Sequence, residues 1–74
     1  MQAPRLTFKE SLDLALTYCK ELQAKGVSTF IPGQMAKDTG IRESAMGIIL
    51  QGIAKVRIHN VVLCNVDSLL RKYR

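Results

Sequence analysis

Apolar residues in the first third of the chain recur at helical spacing: Phe8, Leu12, Ala15, Cys19 and Leu22 are separated by four, three, four and three positions. That spacing gathers them into one stripe and leaves Lys9, Asp13, Lys20 and Glu21 mainly off it. Thr7-Phe8-Lys9-Glu10 has the form of a capping box, so the helix is predicted to begin there, and Gly26 supplies a C-terminal stop.

The stretch VSTFIPG is rich in β-branched and turn-forming residues, and its Pro32 suits the first turn of a second helix, where a missing N–H costs nothing. A short helix is expected over 34–39. Gly40 can take the positive φ that ends it abruptly, and Ile41 can turn inward. A third helix is predicted over 43–55, with Met46, Ile49, Leu50 and Ile53 on its buried side. Its opposite stripe would be Ser44, Gly47, Ile48, Gln51 and Lys55.

After Lys55 the period changes, because VRIHNVVLCNV is too rich in β-branched residues to continue a helix. Two short strands, 56–58 and 61–63, are expected around a His59-Asn60 turn, asparagine being tolerant of positive φ. Asn65 or Asp67 would cap a last helix with Val66, Leu69, Leu70 and Tyr73 on one face and Arg71, Lys72 and Arg74 on the other. Leu69, Leu70 and Tyr73 are a candidate homodimer face.

A chain of 74 residues with 47% hydrophobic content and only five Gly and two Pro is expected to be one ordered domain, 1–74. Its architecture is predicted to be mainly α with a small β-hairpin. The net charge is +5, divided as +1 over residues 1–43 and +4 over 44–74. Such a field favours an anionic partner. The longest apolar run falls far short of a membrane span, and MQAPRLTF has no apolar leader core, so a cytoplasmic protein without membrane contact is expected. Cys19 and Cys64 lack metal-type spacing and fall among apolar positions, which favours buried free thiols over a disulfide or a metal site.

The pair Ala36 and Gly40 needs a physical account. Two helices meeting steeply across a short turn require a small side chain where their axes approach and a residue that permits the sharp exit. Ala36 and Gly40 meet both needs. At MAKDTGIRESAMGIIL the chain resembles the helix-turn-helix superfamily, and VRIHNVVLCNV followed by a terminal helix is similar to its winged-helix branch, over residues 7–74.

The resemblance implies a double-stranded DNA partner, with the third helix in the major groove and the second against the backbone. Ser44 and Gln51 would then meet base edges, and Ile48 a thymine methyl. Lys55, Arg57 and His59 would meet phosphates or the minor groove, with Asn60 beside them, while Lys37 and Arg42 would add backbone contacts. Gly47 and Ile48 offer no hydrogen bonds, Glu43 stands near the expected phosphates, and Arg42 occupies the cap position of the third helix. A helix so equipped suits binding governed by the DNA backbone or by groove shape. A transcriptional regulator or DNA-organising factor, of phage or mobile-element type and nucleoid-associated in a bacterium, is the expectation.

No paired-carboxylate motif, phosphate-binding glycine loop or nucleophile–histidine pattern is present, so neither an enzyme nor a cofactor is expected. The four aromatics, Phe8, Tyr18, Phe30 and Tyr73, are too scattered for a base-stacking platform. The competing expectation is a protein-interaction adaptor or inhibitor that uses the Gly47 and Ile48 face.

Overall fold

At Thr7 the capping box forms: the Thr7 N–H donates to Glu10 Oε1 at 2.8 Å and the Glu10 N–H donates to Thr7 Oγ1 at 3.1 Å. These bonds hold the Glu10 carboxyl below its ordinary range and start α1, Phe8–Ala24. The structure is a computed structural model describing residues 5–74; the first four residues of the segment read for a leader lie outside it. The helix stops as predicted where Gly26 takes φ 77°.

The buried line of α1 differs from the predicted stripe. Ser11, Ala15 and Cys19 are fully buried, Leu12 and Leu22 are half-buried, and Phe8 is exposed. The reason is that α1 is packed by α2 (Pro32–Thr39), α3 (Glu43–Ile49) and α4 (Val66–Lys72) together. Small residues along its centre line let those helices approach, and the larger leucines fill the flanks. The Ser11 hydroxyl is buried there without a hydrogen-bond partner.

A strand missing from the sequence-based expectation, β1 (Thr29–Phe30), follows α1. Pairing with β3 (Val61–Asn65) sets Thr29 opposite Asn65 and Phe30 opposite Cys64, and β3 pairs in turn with β2 (Lys55–Ile58), giving the antiparallel order β1-β3-β2. Two residues are too few to show a period, which is why this strand was invisible beforehand. The β2–β3 turn is the predicted one, with His59 at φ 50° and Asn60 at φ 65°, both positive as a type I′ turn requires.

Between α2 and α3 the chain turns at Gly40, φ 82°, whose N–H donates to the Ala36 carbonyl at 2.8 Å. Thr39 Oγ1 donates to the Met35 carbonyl and accepts from the Ile41 N–H, while Ile41 is buried. α3 ends six residues before its predicted boundary. Gly52 adopts φ 78°, which breaks the helix, and Ile53 still reaches the core from the turn beyond it. The spacing from Met46 to Ile53 fits a helix but is satisfied here by a chain reversal.

α4 is capped by Asn65, whose side chain accepts from the Ser68 N–H at 2.8 Å. Val66 and Leu69 are fully buried, and Leu70 and Tyr73 pack on the core. The face considered for a homodimer is therefore largely occupied within the fold, against α1. Gln23 Nε2 to Asp67 Oδ1, 2.8 Å, ties α4 to α1, and the Tyr18 hydroxyl donating to Asp38 at 3.2 Å ties α1 to α2.

The described residues thus form a mainly helical fold of four helices and one small three-stranded sheet, with a radius of gyration of 12.1 Å. No helix among them is long and apolar enough to cross a membrane. Cys19 and Cys64 are buried free thiols; burial pushes the Cys19 thiol up to about 11 and also raises Cys64.

Candidate functional site

The β2–β3 register separates two kinds of side chain. Residues opposite one another in an antiparallel ladder share a face, and successive residues alternate between faces. Lys55 and Arg57, opposite Cys64 and Val62, thus lie on the face that carries the buried Cys64; Val56 and Ile58, opposite Leu63 and Val61, lie on the other. The nearby Lys55 ammonium opposes the upward pull that burial exerts on the Cys64 thiol, in accord with their shared face.

Lys55 and Val62 of the first face, with Asn60 and Val61 at the turn end of the hairpin, line an open hollow of about 690 Å³ whose other wall is the α2–α3 corner, with Ala36 and Gly47. Its lining is mostly apolar, and Glu43 stands at its α3 side. Ala36 and Met46 both line it, and Ala36 is half-buried against the core.

Beside this hollow α3 presents Ser44, Gly47 and Ile48 to solvent, Ile48 being 55% exposed. Gln51 is exposed as well, but it sits in the turn after α3, and Lys55 is in β2; neither belongs to the helix stripe where the sequence pattern put them. The early end of α3 at the Gly52 turn removes both. His59 is exposed at the tip of the hairpin and Lys37 in the last turn of α2. Arg42 points back toward the amino-terminal segment, its guanidinium donating to the Leu6 carbonyl at 3.4 Å, and it gives α3 no side-chain cap. The structure therefore brings Lys55 and Asn60 together across from Gly47, keeps Ser44, Ile48 and Gln51 on the solvent side of α3 and its exit turn, and holds Arg42 by a different contact.

Sequence reasoning missed the residues that fix the position of α3. Lys72 Nζ donates to the carbonyls of Ile48, Ile49 and Gln51 at 3.3, 3.2 and 2.7 Å, and the Tyr73 hydroxyl donates to Ile49 at 3.0 Å. The Ile48 carbonyl also accepts from the Gln51 N–H at 3.3 Å, so Lys72 adds to the bonding at the carboxyl end of α3 and its exit turn, where a cation also matches the helix dipole. Ser68 Oγ accepts from the Ala54 N–H at 2.9 Å, pinning the entry to β2. Nothing in the spacing of Ser68, Lys72 and Tyr73 marks these roles, because their partners are backbone groups 14 to 24 residues away.

Among the described residues no group of three His, Cys, Asp or Glu side chains is placed to hold a metal ion. Chemically the site offers two cations on one hairpin face, the Ser44 hydroxyl, the Gln51 and Asn60 amides and the exposed aliphatic side chain of Ile48. No family model, curated protein or solved structure matches this chain.

Proposed function

We propose that the chain is a small winged helix-turn-helix protein that binds double-stranded DNA, without enzymatic activity, as a regulator of transcription or a DNA-organising factor. In this reading α2, the Gly40 turn and α3 are the helix-turn-helix, and the β2–β3 hairpin is the wing. The observation that carries it is the alternation in β2, which sets Lys55 and Arg57 on one hairpin face, with Lys55 lining the hollow across from α3. Two cations beside an exposed helix stripe suit a duplex whose phosphates meet the wing while Ser44, Ile48 and Gln51 approach a groove.

The shortness of α3 and the apolar Gly47 and Ile48 leave few base contacts, so backbone and shape contacts dominate the proposed binding. Fluorescence anisotropy with A·T-rich and G·C-rich duplexes at several salt concentrations tests this. Log affinity should fall linearly with log salt, with a slope of about −0.9 for each phosphate neutralised. Absence of binding at low salt removes the proposal.

A second reading, a protein-interaction adaptor or inhibitor, is favoured by one observation: Ile48 is 55% exposed beside a mostly apolar hollow. That arrangement also suits an apolar partner surface.

A further inference from the structure

Among the described residues the order β1-β3-β2 puts the strand β2 at the edge, and all four of its residues are exposed. Which of its backbone groups are free follows from the ladder. Hydrogen-bonded and non-bonded pairs alternate along antiparallel strands, and a two-residue turn is closed by a bonded pair, here Ile58 with Val61. The Asn65 N–H donating to the Ala54 carbonyl at 3.0 Å fixes the same parity at the far end. Lys55 and Arg57 therefore direct their N–H and C=O groups outward from the edge.

The side chains of this edge are sorted as well. Lys55 and Arg57 lie on one face, while Val56, Ile58 and Val61 gather on the other with exposures of 57%, 49% and 40%. An exposed edge of this kind is a template for another strand. A second copy of the chain is a poor occupant. An antiparallel β2–β2 pairing that keeps the aliphatic residues on one face sets Arg57 opposite Arg57 or Lys55 opposite Arg57, and like charges directly opposite are destabilising.

We infer that the β2 edge is a docking site for an extended segment of a partner protein in which acidic and aliphatic residues alternate. The segment adds as an antiparallel fourth strand beside β2. Its acidic residues stand opposite Lys55 and Arg57, and their amides hydrogen-bond to those two residues. Its aliphatic residues stand opposite Val56 and Ile58 and cover the apolar face. Main-chain bonds supply affinity and the alternating side chains supply selectivity. A strand seated there also covers the two cations required for DNA binding, a consequence that rests on the nucleic-acid reading; the docking itself does not.

The test uses the whole chain and a short peptide of alternating Glu and Val, followed by anisotropy and by amide hydrogen exchange. Expected are saturable binding, slowed exchange at the Lys55 and Arg57 amides, and affinity at least about tenfold weaker when the peptide is N-methylated at its Glu residues. N-methylation at the Val residues, whose amides point away from β2, should leave binding unchanged. Equal binding by a peptide of the same composition in scrambled order, or indifference to N-methylation at Glu, overturns the proposal in favour of charge attraction alone. Protection of the same two amides that rises with protein concentration in the absence of peptide also overturns it, by showing that a second copy occupies the edge.

Discussion

Lys72 Nζ lies 2.7 Å from the Gln51 carbonyl oxygen and also reaches the carbonyls of Ile48 and Ile49. A side chain from the last helix thereby closes the carboxyl end of the helix proposed to face DNA, across 21 residues of sequence. Lys72→Met keeps the aliphatic stem and removes the donors, and should cost about 1 kcal/mol, since these bonds are partly exposed. Urea unfolding measures the loss, and faster amide exchange at the end of α3 locates it.

Gly40 has φ 82°, and a Cβ built there meets no atom within 4 Å. Gly40→Ala therefore introduces backbone strain without a clash, for a loss of about 1–2 kcal/mol. D-Ala at the same position, introduced by chemical synthesis, should restore stability. A loss with D-Ala equal to that with L-Ala would point to sterics instead.

Gly47 is the opposite case, a helical glycine on the exposed side of α3 with open space around its missing Cβ. Gly47→Ala should raise stability by about 0.5–1 kcal/mol, or roughly 4 °C in Tm. If a duplex approaches α3 closely, the same methyl weakens DNA binding. Scanning calorimetry and anisotropy on one variant separate the two effects.

Arg57→Ala and Ile48→Asp discriminate the two functional readings. Under the DNA reading, Arg57→Ala weakens binding and reduces the salt slope by about 0.9. Under the adaptor reading, Ile48→Asp abolishes partner capture while Arg57→Ala has little effect. Both residues are exposed, so circular dichroism should show both variants folded.

Burial raises the Cys19 thiol from its ordinary 9.0 to about 11. The unfolded chain therefore releases this proton at lower pH than the folded one. The linked stability is fully present below pH 9 and is lost as pH climbs through 11. Urea midpoints across that window should fall with pH, and Cys19→Ala, compared with its own value at pH 8, should flatten the decline. At neutral pH a thiol reagent should label Cys19 and Cys64 only as fast as the protein opens.

What the sequence by itself determined was local. The Thr7–Glu10 box, the Gly26 and Gly40 exits and the His59-Asn60 turn each involve residues within a few positions of one another, so their chemistry is legible in the string, whereas the choice of Asn65 over Asp67 as the cap of α4 came from the structure. Periodicity failed at α3 because Ile53 sits where a continuing helix would place it, although Gly52 carries the chain there by a turn. Tertiary structure alone decided that β1 joins the sheet, that Leu69 and Tyr73 face inward, and that Lys72 holds the end of α3. Each of those depends on partners distant in sequence, and for Lys72 the partners are carbonyls, which every residue carries and no pattern can mark. The Lys55 and Arg57 cations could be read beforehand, but their common face and the free edge beside them follow only from the β1-β3-β2 pairing.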